Sequence, residues 1–295
     1  MKFSSTIAAA VALLLAALSV ATHAQAPLPA PVLQAVQVPV ARARIPGTGN
    51  GPVFVRYILI DPGNADPVRD GFTPLERIAV LVLYIGGDGT LNLGAGQVNT
   101  GSPNTVARNR YHIAAEGFVV AVVDAANDFN ISPIGLSGRR LGSAHLADLQ
   151  AVMADLRGRY QGLPIWGVGH SRGTLSAAVT AVSVTPPADG LVLMSSLTGD
   201  RANPSEDLSQ IDLESITGPA LIVSHQSDLC AFTNPADSKA LRRRFTASER
   251  AKFRDFNGGS APLTDPCDPL APHGYFGIDQ KVVDAITKWI KRRED

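Results

Sequence analysis

Gly169-His170-Ser171-Arg172-Gly173 sets a serine between two glycines, each two positions away. The G-x-S-x-G pattern carries chemistry when it lies on a tight turn from a strand into a helix. That turn strains the serine backbone and lifts the hydroxyl into the open. The flanks here fit: Ile165–Val168 is an apolar run of strand length, and Thr174–Val184 is a small-residue stretch expected to be helical. Gly169 and Gly173 leave room for the two segments to approach, and Ser176, Ala177 and Ala178 let the helix lie close to a sheet. Two blander uses compete. One is a cofactor loop built on Gly167, Gly169 and Gly173, in which Arg172 takes the place that G-x-G-x-x-G gives to its third glycine. The other is a plain structural turn.

A serine hydroxyl is a poor nucleophile until a base takes its proton. Of the six histidines, His23 lies in an apolar leader, and His112 and His145 lie on expected helices. His170 adjoins the serine, with its ring directed away from the hydroxyl. His225 ends a strand and reads as a satisfied core residue. His273 lies in the loop Pro272–Gly277 before the last expected helix, where an imidazole can reach over a sheet edge. The base needs a carboxylate on its other nitrogen. Asp228 follows the strand Ala220–Ser224 on the sheet edge that carries Ser171, whereas the alternatives Asp265 and Asp268 follow no strand end. The chain order Ser171, Asp228, His273 is the one known for this arrangement on a doubly wound sheet. Cys230 and Cys267 flank the acid and base loops. A disulfide between them, closing that span, is worth about 4 kcal/mol in the chain-entropy model.

The elements that must hold these residues alternate. Val36–Ile45 and Val53–Ile60 read as a hairpin around the turn Pro46–Gly51, and Ile78–Ile85 reads as a strand buried on both faces. A helix over Asn104–Glu116 then leads to the strand Phe118–Val123, and the helix Ala144–Tyr160 leads to Ile165–Val168. Strands at Leu191–Met194, Ala220–Ser224 and Ala251–Phe256 alternate with helices at Pro235–Phe245 and Asp279–Arg292. This alternation predicts a mostly parallel sheet with helices on both faces.

Residues 1–26 read as a cleaved export signal: Lys2, the apolar run Ile7–Val20, then Ala24-Gln25-Ala26. The run is short for a membrane span, so no stable membrane anchor is expected. Residues 27–35 read as a Pro/Ala-rich arm and 36–295 as one domain. A periplasmic or secreted destination is oxidising, which favours the disulfide. Lys+Arg and Asp+Glu each number 26, which argues against a broad basic face for nucleic acid. Two cysteines exclude a Cys-rich zinc module, and no spacing suggests a metal site or a cofactor.

The antiparallel start, the elbow Gly169–Gly173, the strand-end Asp228 and the late His273 together resemble the α/β-hydrolase superfamily over nearly all of the chain after the leader. The resemblance implies an α/β-hydrolase fold and a Ser171-His273-Asp228 triad that forms an acyl-enzyme. It also implies an oxyanion hole. Gly86-Gly87-Asp88-Gly89 is similar to the family's HGG-type loop, with Ile85 where the family has His. The N–H groups of Gly87 and Arg172 are the expected donors. Only about 25 residues separate Leu191–Met194 from Ala220, so no large cap is expected. Leu91, Leu93, Phe129 and Tyr275 are expected at the pocket rim. A small-molecule carboxylic ester or other acyl compound is the implied substrate. Thioesterase, peptidase and perhydrolase activities use the same triad, and a catalytically inactive binding protein on this fold is the rival from another class.

Overall fold

Strands β1 (Leu33–Val40) and β2 (Val53–Ile60) form the antiparallel hairpin, in register from Val40↔Val53 to Leu33↔Ile60. The first strand is shifted from its expected span. Leu33–Ala35, assigned from composition to the arm, pair with Ile58–Ile60, because main-chain pairing is indifferent to a Pro/Ala-rich neighbourhood. Its far end stops early: Arg42 turns inward to Asp128 and Asp148, and Asp128 accepts the Ile45 N–H at 3.0 Å. This computed structural model describes residues 33–292 apart from 72, 132–133 and 200–205. The expected leader, 1–26, lies outside the described residues, as does the arm up to residue 32.

The other strands are β3 (Ala79–Tyr84), β4 (Phe118–Val123), β5 (Ile165–His170), β6 (Gly190–Met194), β7 (Ala220–His225) and β8 (Ala251–Phe256). Every residue of β3 to β7 is buried, which is why these runs show no polar alternation. The eight strands make one sheet in the order β1-β2-β4-β3-β5-β6-β7-β8. β2 runs antiparallel to β1 and β4, and all pairings from β4 through β8 are parallel.

The helices are α1 (Pro67–Asp70), α2 (Thr105–Arg108), α3 (Arg110–Ala115), α4 (Asn127–Asn130), α5 (Ser143–Arg159), α6 (Gly173–Val182), α7 (Pro235–Leu241) and α8 (Asp279–Lys291). One face of the sheet packs Val80, Val82 and Tyr84 against Leu149, Met153 and Leu156 of α5 and Leu175 and Ala178 of α6. The other packs Leu81 and Leu83 against Ile113 of α3 and Val282, Ile286 and Trp289 of α8. The single helix expected over Asn104–Glu116 is broken at Asn109. Its side-chain amide bonds Thr105 O at 2.9 Å and Asp279 Oδ1 at 2.7 Å, which ties the break to the start of α8. The expected helix Pro235–Phe245 ends as an α-helix at Leu241 and continues as the 3-10 turn Arg242–Arg244. Between β6 and β7 the described residues carry two 3-10 turns, Leu208–Gln210 and Leu213–Ser215. Among the described residues no helix is long and apolar enough to cross a membrane.

Candidate active site

Ser171 lies at the C-terminal end of β5, on the step into α6, with φ at 56°. A side chain at positive φ is uncommon and marks a strained turn. Neighbours enforce it: the Ser171 N–H bonds Met194 O at 2.9 Å, and Thr174 Oγ1 bonds Ser171 O at 2.6 Å. A Cβ on Gly173 would lie 2.1 Å from Tyr84 O, and one on Gly169 would lie 2.3 Å from Gly173 O. These two glycines are therefore required by close approach, and not only by the turn. The Arg172 amide opens α6, where the helix dipole favours negative charge.

Asp228 and His273 arrive from the same sheet edge as Ser171. Asp228 follows β7, and His273 lies in the 3-10 turn Pro272–Gly274 after β8. His273 is 1% exposed and Asp228 5%. The His273 Nδ1–H donates to Asp228 Oδ2 at 3.0 Å. The same oxygen accepts from Thr233 Oγ1 at 2.9 Å, and Oδ1 accepts the Cys230 N–H at 2.9 Å. With its hydrogen on Nδ1, the imidazole keeps a lone pair on Nε2. That nitrogen is buried and has no hydrogen-bond partner among the described residues. The alternative acids do not reach the ring: Asp265 and Asp268 are exposed, and the Asp268 N–H turns back to Asp265 O.

The sequence did not reveal how the His273 main chain is held. The His273 carbonyl accepts from His170 Nε2 at 2.9 Å and from Ser195 Oγ at 2.8 Å. His170 Nδ1 in turn accepts from Asn104 Nδ2 at 3.2 Å. Burial, then the neighbouring His273, holds the His170 imidazole well below its ordinary range, so it stays neutral and keeps both bonds. The next carbonyl, Gly274 O, accepts from Thr105 Oγ1 at 2.7 Å and Arg108 Nη2 at 2.6 Å. His225 is a satisfied core residue, as expected: Nε2 bonds Gly258 O and Nδ1 accepts the Ser227 N–H.

Cys230 and Cys267 are disulfide-bonded, with Cα atoms 4.5 Å apart, and the bond joins the acid loop to the base loop. A pocket of about 180 Å³ opens beside it, lined by Gly86, Gly87, Asp88, Asn104, Ser171 and His273 among others. The apolar rim expected from Leu91, Leu93, Phe129 and Tyr275 is a correction. All four are buried away from this pocket. Buried Asp124 draws in the Leu91 and Leu93 N–H groups at 2.6 and 2.8 Å, and Tyr275 donates to Val223 O at 3.0 Å. Among the described residues no group of three or more His, Cys, Asp or Glu is placed to hold a metal ion.

Behind the pocket, His145 Nε2 lies 2.9 Å from Ser176 Oγ. Burial pushes the His145 imidazole down to about 3, with the charges of Arg140 and Arg42 adding to it. The unfolded chain binds that proton below about pH 6.5, and the folded one does not. The fold therefore keeps this contribution above about pH 6.5 and loses it progressively as the pH falls toward 3. Urea unfolding of His145→Gln between pH 6 and 4 should show a shallower loss than wild type. Equal slopes in the two proteins would rule out His145 as its source.

No protein-family model matches the sequence, and no curated protein does. Solved structures match with high coverage and low identity. A cold-adapted esterase from an Arctic intertidal metagenomic library aligns over 87% of this chain and 94% of its own, at 14% identity and a TM-score of 0.52. Dienelactone hydrolase from Anabaena variabilis aligns over 88% and 97%, at 14% identity and 0.53. Est1E from Butyrivibrio proteoclasticus aligns over 87% and 97%, at 15% identity and 0.53. Identities this low speak for architecture alone. Taken with the strand order and the serine turn after β5, they establish that this chain has the α/β-hydrolase fold.

Proposed function

We propose that the chain is a serine hydrolase that cleaves small carboxylic esters, with Ser171 as nucleophile, His273 as base and Asp228 as the carboxylate that orients it. The observation that carries the reading is the buried His273. Its Nδ1 is held by Asp228, its Nε2 has no partner among the described residues, and it shares one pocket with a serine raised on a strained turn. In the first half-reaction Ser171 Oγ attacks the ester carbonyl carbon and its proton passes to His273 Nε2. The C–O bond to the alcohol then breaks, and the alcohol leaves with that proton. Water repeats the sequence on the acyl-enzyme and releases the acid and the free serine. The N–H groups of Gly87 and Arg172 are assigned to the oxyanion.

The substrate is read from the pocket. A space of about 180 Å³ bordered by Asp88, Thr90, Ser102 and Asp268 suits a short acyl group with a polar partner reached from solvent. The disulfide and the leader-like N-terminal sequence support an exported, periplasmic or secreted enzyme.

The test is labelling with a serine-directed fluorophosphonate, followed by a panel of nitrophenyl esters, thioesters and peptide anilides. Ser171 is expected to carry the label, and acetate and butyrate esters are expected to turn over faster than octanoate. Absence of label on folded protein would favour a ligand-binding role. Faster cleavage of anilides or thioesters would change the bond type while leaving the nucleophile in place.

A further inference from the structure

Arg140 is the largest fully buried side chain, at 1% exposure, and it comes from the loop before α5. Among the described residues its guanidinium makes no ion pair. Its terminal nitrogens bond one hydroxyl and two main-chain carbonyls instead: Nη1 donates to Ser176 Oγ at 2.7 Å, and Nη2 to Ile85 O at 3.1 Å and Gly87 O at 3.2 Å, while Nε has no partner among the described residues. Burial lowers this guanidinium to about 10, opposed by the charge of Glu206. A cation buried without a carboxylate is costly, and a neutral side chain of similar length would fill the same space without that cost.

The two carbonyls lie on either side of Gly86, in the segment Ile85–Gly89, and their neighbours are bonded as well. Gly86 O accepts the Gly89 N–H, Asp88 O accepts the Leu136 N–H at 2.7 Å, and Gly89 O accepts the Ala125 N–H. All five carbonyls from Ile85 to Gly89 thus have a donor, four of them from outside the segment. The N–H groups of Gly86, Gly87 and Asp88 have no acceptor among the described residues, and all three residues line the pocket beside Ser171. A Gly-Gly peptide has little steric barrier of its own to flipping. Ile85 O shares a peptide plane with the Gly86 N–H and Gly87 O with the Asp88 N–H, so neither plane can flip without losing its bond to Arg140, and the Gly86–Gly87 peptide between them is held by the bond from the Gly89 N–H to Gly86 O. The fit leaves no slack: a Cβ on Gly89 would lie 2.8 Å from Arg140 Nη2. Glu206 extends the brace to the other donor segment. It accepts the Gly138 and Arg140 N–H groups and also bonds Arg172 Nη1 at 2.9 Å.

We propose that Arg140 is a positioning residue for the oxyanion hole: its buried guanidinium clamps Ile85 O and Gly87 O, which keeps the loop amides aimed at the pocket. The inference rests on the reading of Ser171 as the nucleophile.

Arg140→Met and Arg140→Lys are compared with wild type by steady-state kinetics on a nitrophenyl acetate ester. ¹⁵N relaxation dispersion at Gly86, Gly87 and Asp88 is recorded alongside. Both variants are expected to lower kcat on the order of a hundredfold with KM little changed, because an oxyanion donor acts in the transition state. Lysine keeps the charge but not the two-carbonyl grip, so it should not rescue. Dispersion flat in wild type should appear in both variants. A folded Arg140→Met that keeps kcat within about threefold overturns the proposal, as does a kcat loss with the loop still rigid. If these variants fail to fold, Arg140→Gln decides by the same two readouts, because it keeps a buried hydrogen-bonding side chain but lacks the guanidinium nitrogen that grips both carbonyls. If wild type hydrolyses no ester or related acyl compound, the Ser171 reading fails. Relaxation then decides alone whether Arg140 holds the loop.

Discussion

Ser171→Ala is expected to lower kcat on a short ester by about 10⁴-fold or more, to the residual rate that binding and the oxyanion donors supply. The fold should barely notice. Serine already places a Cβ at φ 56°, so alanine meets the same backbone strain, and the Ser171 N–H keeps its bond to Met194 O. The Thr174 hydroxyl bonds the Ser171 carbonyl and is also untouched. Activity and thermal melting measured on one preparation separate the two effects. Turnover within tenfold of wild type would falsify the assignment of the nucleophile. A collapsed melting temperature would instead show that the hydroxyl holds the turn together.

Asp228→Asn should cost about 10⁴-fold in kcat, through the tautomer of His273. The Cys230 N–H points at Oδ1 of residue 228, so an asparagine must put its oxygen there. Its NH₂ group then faces Thr233 and His273 Nδ1, where Asp228 Oδ2 now accepts both. Two donors cannot share that contact. The imidazole responds by accepting at Nδ1 and carrying its hydrogen on Nε2, which removes the lone pair that Ser171 needs. A pH–rate profile and the imidazole ¹⁵N shifts of His273 report the change. Full activity in the variant would move the orienting role to Asp265 or Asp268, although both are exposed in the present arrangement.

The strands that hold the site were legible because burial on both faces leaves a continuous apolar run. Phe118–Val123 matches its expected span and Ile165–Val168 extends only to His170, whereas the edge strand Ala251–Phe256, only partly buried, was legible from its alternation. The serine turn was legible because its glycines answer to close main-chain approach, which a sequence records directly. What holds the base was not. Ser195 lies 78 positions from His273, and its hydroxyl meets a carbonyl, a contact that no local pattern encodes. Thr233 gave no signal beyond following Asp228 in a loop. Both ring nitrogens of His170 are taken by Asn104 and the His273 carbonyl, and the second of these bonds appears only once β5 and the loop Pro272–Gly277 are neighbours. The misplaced rim has a similar cause. Leu91 and Leu93 follow a sheet edge, but buried Asp124 captures their amides and draws them inward. The break at Asn109 escaped detection because its partner, Asp279, is 170 positions away.

The Cys230–Cys267 bond also fixes what a protease can do to this protein. Residues 257–268 are exposed throughout, and glycines at 258 and 259 open that stretch. A cut at any peptide bond from 257 to 266 falls inside the 37-residue span between the two cysteines. The C-terminal fragment, which carries His273 and α8, then stays covalently attached beside Asp228. Nicked protein migrates as one chain until a reductant is added and as two afterwards, and the scission alone does not part the base from its carboxylate.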